Sequence, residues 1–352
     1  MRDSLSTFQI FKSDLNYILE KMSNEMNTFN GKTISIFGAT GFVGKWLTAA
    51  LIDANQELNL NLTLNLFTRD GMRLRQMIGD KHCCRYNIIT KDFSRDFEPE
   101  IPKSDYYFHL ATSSTISTGS KYIKNVQDST LNAINQTIRE LKPANNPPIF
   151  IHASSGAVYG INQRFQDLIL EGPTIERSSN NSIYCNVKIS AETLIQNYTQ
   201  KNLIFGMNPR LFTFAGPYLA LNEHFAIGNF VQNLLNRESV VMNGNLETLR
   251  SYMYPADLVV WFLKLAINPT QKFLNFGSDK KIKIQTLAEM IANLGNLKVK
   301  KSFDENKNFS SYVPSTEIAR NHLGIDTSIS LETSLEKWIT WLNYMKNVHT
   351  NN

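Results

Sequence analysis

From residue 33 onward, short apolar runs alternate with longer stretches in which apolar positions recur every three to four residues. The first pattern reads as strand and the second as amphipathic helix. Strands are predicted over 33–37, 62–67, 86–89, 106–110, 149–153 and 203–208, with helices over 43–55, 123–141 and 184–201 between them. Such alternation builds an α/β domain, a doubly wound parallel sheet with helices on its faces. Beyond Pro209 the regularity gives way to loops and separated helices over 226–235, 255–266 and 284–294. That part is expected to form a smaller C-terminal lobe over 209–345, interleaved with a sheet domain over 31–208. The lobe would close over the carboxyl edge of the sheet, where open α/β sheets bind ligands.

Ahead of the first strand, Phe8, Ile10, Phe11, Leu15, Ile18, Leu19 and Met22 fall at helical spacing, interrupted by Lys12 and Asp14. Residues 1–30 are therefore expected to be a helical extension docked on the main body, not a signal peptide. The apolar run over 259–267 contains Lys264 and is too short to cross a bilayer. A cytoplasmic chain without a membrane span is the expectation. The net charge of +5 is scattered, with no basic run interleaved with aromatics, so no nucleic-acid partner is expected. Three cysteines, Cys83, Cys84 and Cys185, make no disulfide framework and suit a reducing compartment. His82-Cys83-Cys84 has no second ligand cluster at a usual spacing, so no metal is expected.

The chemistry begins at Gly38-Ala39-Thr40-Gly41-Phe42-Val43-Gly44, directly after the first strand and at the opening of a helix. Gly38 permits the tight turn, Gly41 admits a pyrophosphate close to backbone N–H groups, and Gly44 lets the helix pack tightly. The helix N-terminus adds donors and a partial positive charge. This is a dinucleotide-binding pattern, and the sheet is accordingly Rossmann-like. An NAD site usually has an acidic residue ending the second strand to hold the ribose. That position falls at Thr68, followed by Arg69, which can pair with a 2′-phosphate, and Asp70. The cofactor is NADP or NAD, and Arg69 favours NADP.

Tyr184 and Lys188 stand four apart at the start of a predicted helix and share one face. An ammonium and an oxidised nicotinamide nearby would both lower the tyrosine pKa from its usual value near 10, making it a usable acid/base. Ser154-Ser155 ends the fifth strand, where a hydroxyl can donate to a substrate oxygen.

Taken in order, Gly38 to Gly44, Ser154 to Gly160, Tyr184 to Lys188 and Arg250 to Leu258 resemble the extended short-chain dehydrogenase/reductases, specifically the nucleotide-sugar modifying NAD-dependent epimerase/dehydratase family. The resemblance runs from about Gly31 to about Leu342. It implies that Tyr184 is the acid/base, that Lys188 orients the cofactor ribose and that Ser155 holds the reacting oxygen. It also implies adenine contacts at Asp92 and Phe93, a cofactor-facing strand end at Leu110 and Ala111, and a diphosphate grip by Arg250. Thr213 stands where the family commonly has a substrate-contacting asparagine. The 209–345 lobe becomes mainly a substrate-binding lobe, and a homodimer is implied.

The expected activity is that of a nucleotide-sugar epimerase or 4-ketoreductase. Related 4,6-dehydratases carry an Asp-Glu pair after the residue matching Ser155, and decarboxylating relatives a glutamate at the second of these positions; here they are Gly156 and Ala157. Dehydration would need substitutes such as Asp167 or Glu171. A non-catalytic dinucleotide sensor or scaffold is the remaining alternative, although such relatives usually lose the tyrosine or lysine, and both are present.

Overall fold

A computed structural model describes residues 7–79, 85–96, 101–111, 120–139, 141–160, 168–173, 182–221, 225–243, 245–302 and 309–350. The stretch His82-Cys83-Cys84 and Asp167 lie outside the described residues. The chain divides into two compact units. The first comprises Met1–Val158, Pro173–Arg210 and Val259–Leu274; the second comprises Tyr159–Gly172, Leu211–Leu258 and Asn275–Asn352.

The first unit is built on a parallel sheet. Its strands are β1 (Thr33–Phe37), β2 (Thr63–Thr68), β3 (Arg85–Thr90), β4 (Tyr106–His109), β5 (Ile149–His152) and β7 (Phe205–Met207); the two-residue strand β6 (Ser154–Ser155) follows β5. The six lie in the order β3-β2-β1-β4-β5-β7, each pair parallel. The central strands β1, β2, β4 and β5 are buried over nearly their whole length, whereas edge strand β3 is part-exposed. Continuous burial is what apolar runs such as Ile34, Ile36 and Phe37 require when helices cover both faces. The helices are α2 (Phe42–Leu58), α3 (Gly71–Ile78), α4 (Ser120–Ile138) and α5 (Ile183–Gln200), preceded by α1 (Lys12–Met22). Sequence order reverses between β1 and β4, and at such a switch point a crevice opens outside the strand carboxyl ends.

The N-terminal segment docks on the first unit. Phe8, Ile10, Phe11, Leu15, Ile18 and Met22 are buried, and Lys12 reaches α2, 2.7 Å from Asp53 Oδ1 and 2.9 Å from Glu57 Oε1. The α-helix starts only at Lys12, later than the spacing suggests. Phe8 adopts a positive φ of 56° inside a preceding 3-10 turn.

In the second unit, β8 (Arg210–Leu211) leads in from the first. Helices α6 (Ala226–Leu235) and α8 (Ile284–Leu294) pack on the parallel pair β9 (Val240–Asn243) and β13 (Val299–Ser302). Strand β10 (Leu249–Arg250) lies between β12 (Ile282–Lys283) and β14 (Ser311–Tyr312). The remaining elements are α7 (Pro255–Ile267), which runs from the second unit into the first, β11 (Asn275–Phe276), α9 (Glu317–Leu323) and α10 (Leu331–Thr350). Among the described residues no helix is long and apolar enough to cross a membrane.

Candidate active site

The glycine turn after β1 is drawn tight by sterics. Gly38 has a φ of +84°, and a Cβ there would stand 3.0 Å from the Ala111 backbone. The β1 turn and the end of β4 therefore nearly touch, with Leu110 N–H donating to Phe37 O at 3.0 Å. At Gly44 a Cβ would lie 2.1 Å from Gly38 O, so only glycine fits. Gly41 is the N-cap residue of α2 and offers no side chain to the helix N-terminus. Phe42, Val43 and Gly44 open the helix, whose first N–H groups can therefore face an anion. This cradle at the switch point fits the pyrophosphate of a dinucleotide.

Strand β2 ends one residue later than its apolar run, so Thr68 is paired, opposite Thr90 of β3, and buried. Its hydroxyl lies 3.2 Å from the Thr40 hydroxyl and accepts the Asp70 N–H at 3.1 Å, tying the glycine turn to the second strand. Asp70 caps α3 by accepting the Arg73 N–H at 2.9 Å. Arg69 is exposed, and among the described residues it has no hydrogen-bond or ion-pair partner. Nearby Lys45 is pushed down to about 8 by burial and by Arg73, so this corner of the first unit is cationic. The Asp92 carboxylate is occupied by its own turn, accepting from Ser94 Oγ at 2.7 Å and Arg95 Nε at 2.9 Å. Burial would raise its pKa, but these donors hold it below the usual carboxylate range. The Phe93 ring is core, packed with Phe37 and Phe67. What Asp92 and Phe93 can present to an adenine is therefore mainly backbone.

Ser155, Tyr184 and Lys188 come together in the first unit. Ser182 caps α5, accepting the Cys185 N–H at 3.2 Å, so Tyr184 sits in the first turn and Lys188 one turn further on. The Ser155 side chain lies beside the Tyr184 phenol. The Lys188 ammonium lies 5.7 Å from the Tyr184 ring centroid and donates to Ala153 O. Burial pushes the Tyr184 phenol up, and the Ser155 hydroxyl pulls part of that back. Burial also takes Lys188 down to about 7, opposed by Glu192.

Behind Lys188 lie two fully buried imidazoles, His109 ending β4 and His152 ending β5, with their Nδ1 atoms 2.8 Å apart. Burial and the Lys188 charge push His109 down to about 3 and His152 well below its usual value, so both are neutral. Sequence reading did not assign His152, Glu192 or Arg210. Glu192 was findable, because it continues the four-residue spacing of Tyr184 and Lys188.

In the second unit the Arg250 guanidinium is held by Leu249 O at 2.7 Å and by Ser310 O and Oγ at 3.3 Å. The Thr213 hydroxyl donates to Ser251 O. Asp257 accepts the N–H groups of Ser328 and Ile329, a structural use. Both oxygens of Glu171 are committed: Oε1 accepts from Asn275 N at 2.8 Å and Ala319 N at 3.1 Å, and Oε2 from Ile318 N at 2.6 Å. Burial raises this carboxyl to about 7 against the pull of those donors. Among the described residues no cluster could hold a metal ion.

The first unit is a Rossmann-like fold. Residues 34–277 match the NAD dependent epimerase/dehydratase family, and the chain belongs to that family. It is 23% identical over 310 residues to UDP-glucuronic acid decarboxylase 1 of Arabidopsis thaliana, spanning 87% of this chain and 69% of that protein. It is 22% identical over 357 residues to UDP-glucuronate 4-epimerase 1 of the same plant, spanning 91% and 79%. Among solved structures, UDP-N-acetylglucosamine 4-epimerase from Methanobrevibacter ruminantium M1, in complex with UDP-N-acetylmuramic acid, superposes with a TM-score of 0.70 at 21% identity. That match covers 90% of this chain and 99% of the other, and it is a likeness of fold.

Proposed function

We propose that the chain is an NAD(P)-dependent enzyme that moves a hydride on the hexose ring of a nucleotide sugar, as an epimerase or a 4-ketoreductase. The observation that carries this reading is the grouping of Ser155 beside the Tyr184 phenol, with Lys188 one helical turn away and 5.7 Å from the Tyr184 ring. The epimerase and decarboxylase names among the relatives support a nucleotide-sugar substrate.

A nicotinamide cofactor, when bound, would supply or accept the hydride. Tyr184 exchanges the proton at the sugar oxygen, and Ser155 donates a hydrogen bond to the same oxygen. Lys188 contributes a positive charge that favours the phenolate, and it would donate to the ribose of a bound cofactor. With its pKa raised, Tyr184 is a neutral phenol near pH 7. That is the form needed to protonate a ketosugar oxygen as hydride arrives. Arg250, already a planar fork of donors, would hold the diphosphate. Thr213, whose hydroxyl donates a hydrogen bond to Ser251 O, would accept from a sugar hydroxyl.

Two further features support a reaction that stops at hydride transfer. Gly156 and Ala157 carry no ionisable group, and the Glu171 carboxylate is occupied by three backbone donors. Elimination needs both a base and an acid beside the tyrosine. For the cofactor, the free Arg69 guanidinium and the capping use of Asp70 favour NADP. The test is incubation of the protein with NADP(H) or NAD(H) and sugar nucleotides, with net reduction read as absorbance at 340 nm and inversion, which leaves the cofactor unchanged, read by NMR of the sugar. Conversion by wild type that Tyr184→Phe abolishes supports the reading. Undiminished conversion by Tyr184→Phe, or neither reduction nor inversion of any sugar nucleotide, refutes it.

A further inference from the structure

Helix α5 carries a third polar side chain in line with Tyr184 and Lys188. Glu192 lies one more turn along the same face. It is nearly buried, and Arg210 grips it with two donors, Nε to Oε1 at 3.0 Å and Nη2 to Oε2 at 2.8 Å. Arg210 has no exposed surface at all. A third donor, Ser154 Oγ, reaches Glu192 Oε1 at 2.5 Å.

These contacts tie one stretch of chain to one helix at two successive levels, where Ala153 O accepts from Lys188 and Ser154 donates to Glu192. The next residue, Ser155, stands beside Tyr184. A buried arginine–glutamate pair adds little net stability, because desolvating two ions offsets their attraction. Its place one helical turn from Lys188 calls for another use. The charge around Lys188 supplies one. On the strands behind it, His109 and His152 are neutral; on its own helix stand Tyr184 and Glu192, and Arg210 is turned onto Glu192. Glu192 is the anion that opposes the cost of burying the ammonium.

We propose that Arg210, Glu192 and Ser154 form a positioning group: Glu192, locked by Arg210, keeps Lys188 charged in a buried place and, through Ser154, sets Ser155 against Tyr184. The inference rests on the reading that Lys188 holds the cofactor.

The test is the pH dependence of NAD+ and NADP+ affinity, measured by titration calorimetry on the full chain between pH 5 and 9. In wild type the affinity falls as Lys188 loses its proton. Glu192→Gln is expected to move that midpoint down by about one pH unit, while Glu192→Asp, which keeps the charge, holds the wild-type midpoint. Glu192→Gln leaves Arg210 buried and unpaired, so the Glu192→Gln/Arg210→Gln double is measured alongside. It removes both charges, and the same downward shift is expected of it. Lys188→Met separates the two ideas. A flat profile in Lys188→Met with an unmoved midpoint in Glu192→Gln or the double overturns the positioning role alone. An unchanged profile in Lys188→Met overturns the cofactor-holding reading and the inference with it.

Discussion

Replacing Gly44 by alanine adds one methyl group where only backbone surrounds it. The new Cβ would stand 2.1 Å from Gly38 O and 2.9 Å from Ala39 Cα, whereas comfortable contacts are about 3.5 Å. The turn would have to recede by more than about 1 Å. It is poorly able to do so. Gly38 N and Ala39 N both donate to Phe67 O, at 3.0 and 3.1 Å, and Gly38 O itself accepts the Gly41 N–H at 2.9 Å. Overpacking of this kind costs about 1–3 kcal/mol of stability. The N–H groups opening α2 would shift with the turn, and losing one hydrogen bond to a charged phosphate costs about 1.5–3 kcal/mol. That corresponds to roughly 10- to 100-fold weaker dinucleotide binding. Gly172→Ala is the control, since a Cβ there meets no atom within 4 Å and should change stability by less than about 0.5 kcal/mol. Urea unfolding and calorimetric titration with NAD+ and NADP+ read both quantities. Wild-type affinity in folded Gly44→Ala would refute the assignment of this turn to the pyrophosphate.

Tyr184→Phe should leave cofactor affinity intact while turnover falls by about two to four orders of magnitude, the range for a lost general acid/base. Arg69→Ala should weaken NADP(H) much more than NAD(H), as separate titrations would reveal; equal effects on both would make Arg69 ordinary surface. Stability should fall as pH drops below about 6.5, the usual histidine value. His109 and His152 are neutral in the fold, with pKa values of about 3 and well below 6.5, whereas the unfolded chain takes up those protons. Each contributes a slope approaching about 1.4 kcal/mol per pH unit below that point. Urea unfolding at pH 7 and pH 5 checks this, with His152→Gln expected to show the smaller loss.

The parallel sheet was legible because its central strands are buried on both faces, and this demands the unbroken apolar runs that mark them. Residues 226–235 and 284–294 were legible as α6 and α8 from their periodicity. Helix α3, only eight residues long with two buried positions, gives too short a pattern to stand out. The two-residue strands of the second unit carry no periodicity at all. At the candidate site, Ser155, Tyr184 and Lys188 could be placed by spacing and by the end of the fifth strand. What spacing cannot convey is how polar atoms are spent. Asp92 serves its own turn, Asp70 caps α3, and Glu171 gathers three backbone donors from distant residues. Nor does spacing convey the desolvation that raises the Tyr184 pKa, since it is set by neighbours far apart in the chain.

The most direct test of the proposed activity is product analysis by NMR. Purified protein is incubated with UDP-, dTDP-, GDP- and CDP-hexoses and their 4-keto forms, in the presence of NAD(H) or NADP(H). The expected product is a hexose inverted or reduced at a ring carbon, with its C6 group and carbon count unchanged. Robust formation of a 4-keto-6-deoxy sugar or of a pentose would contradict it, because neither can arise from hydride and proton exchange at Tyr184 alone.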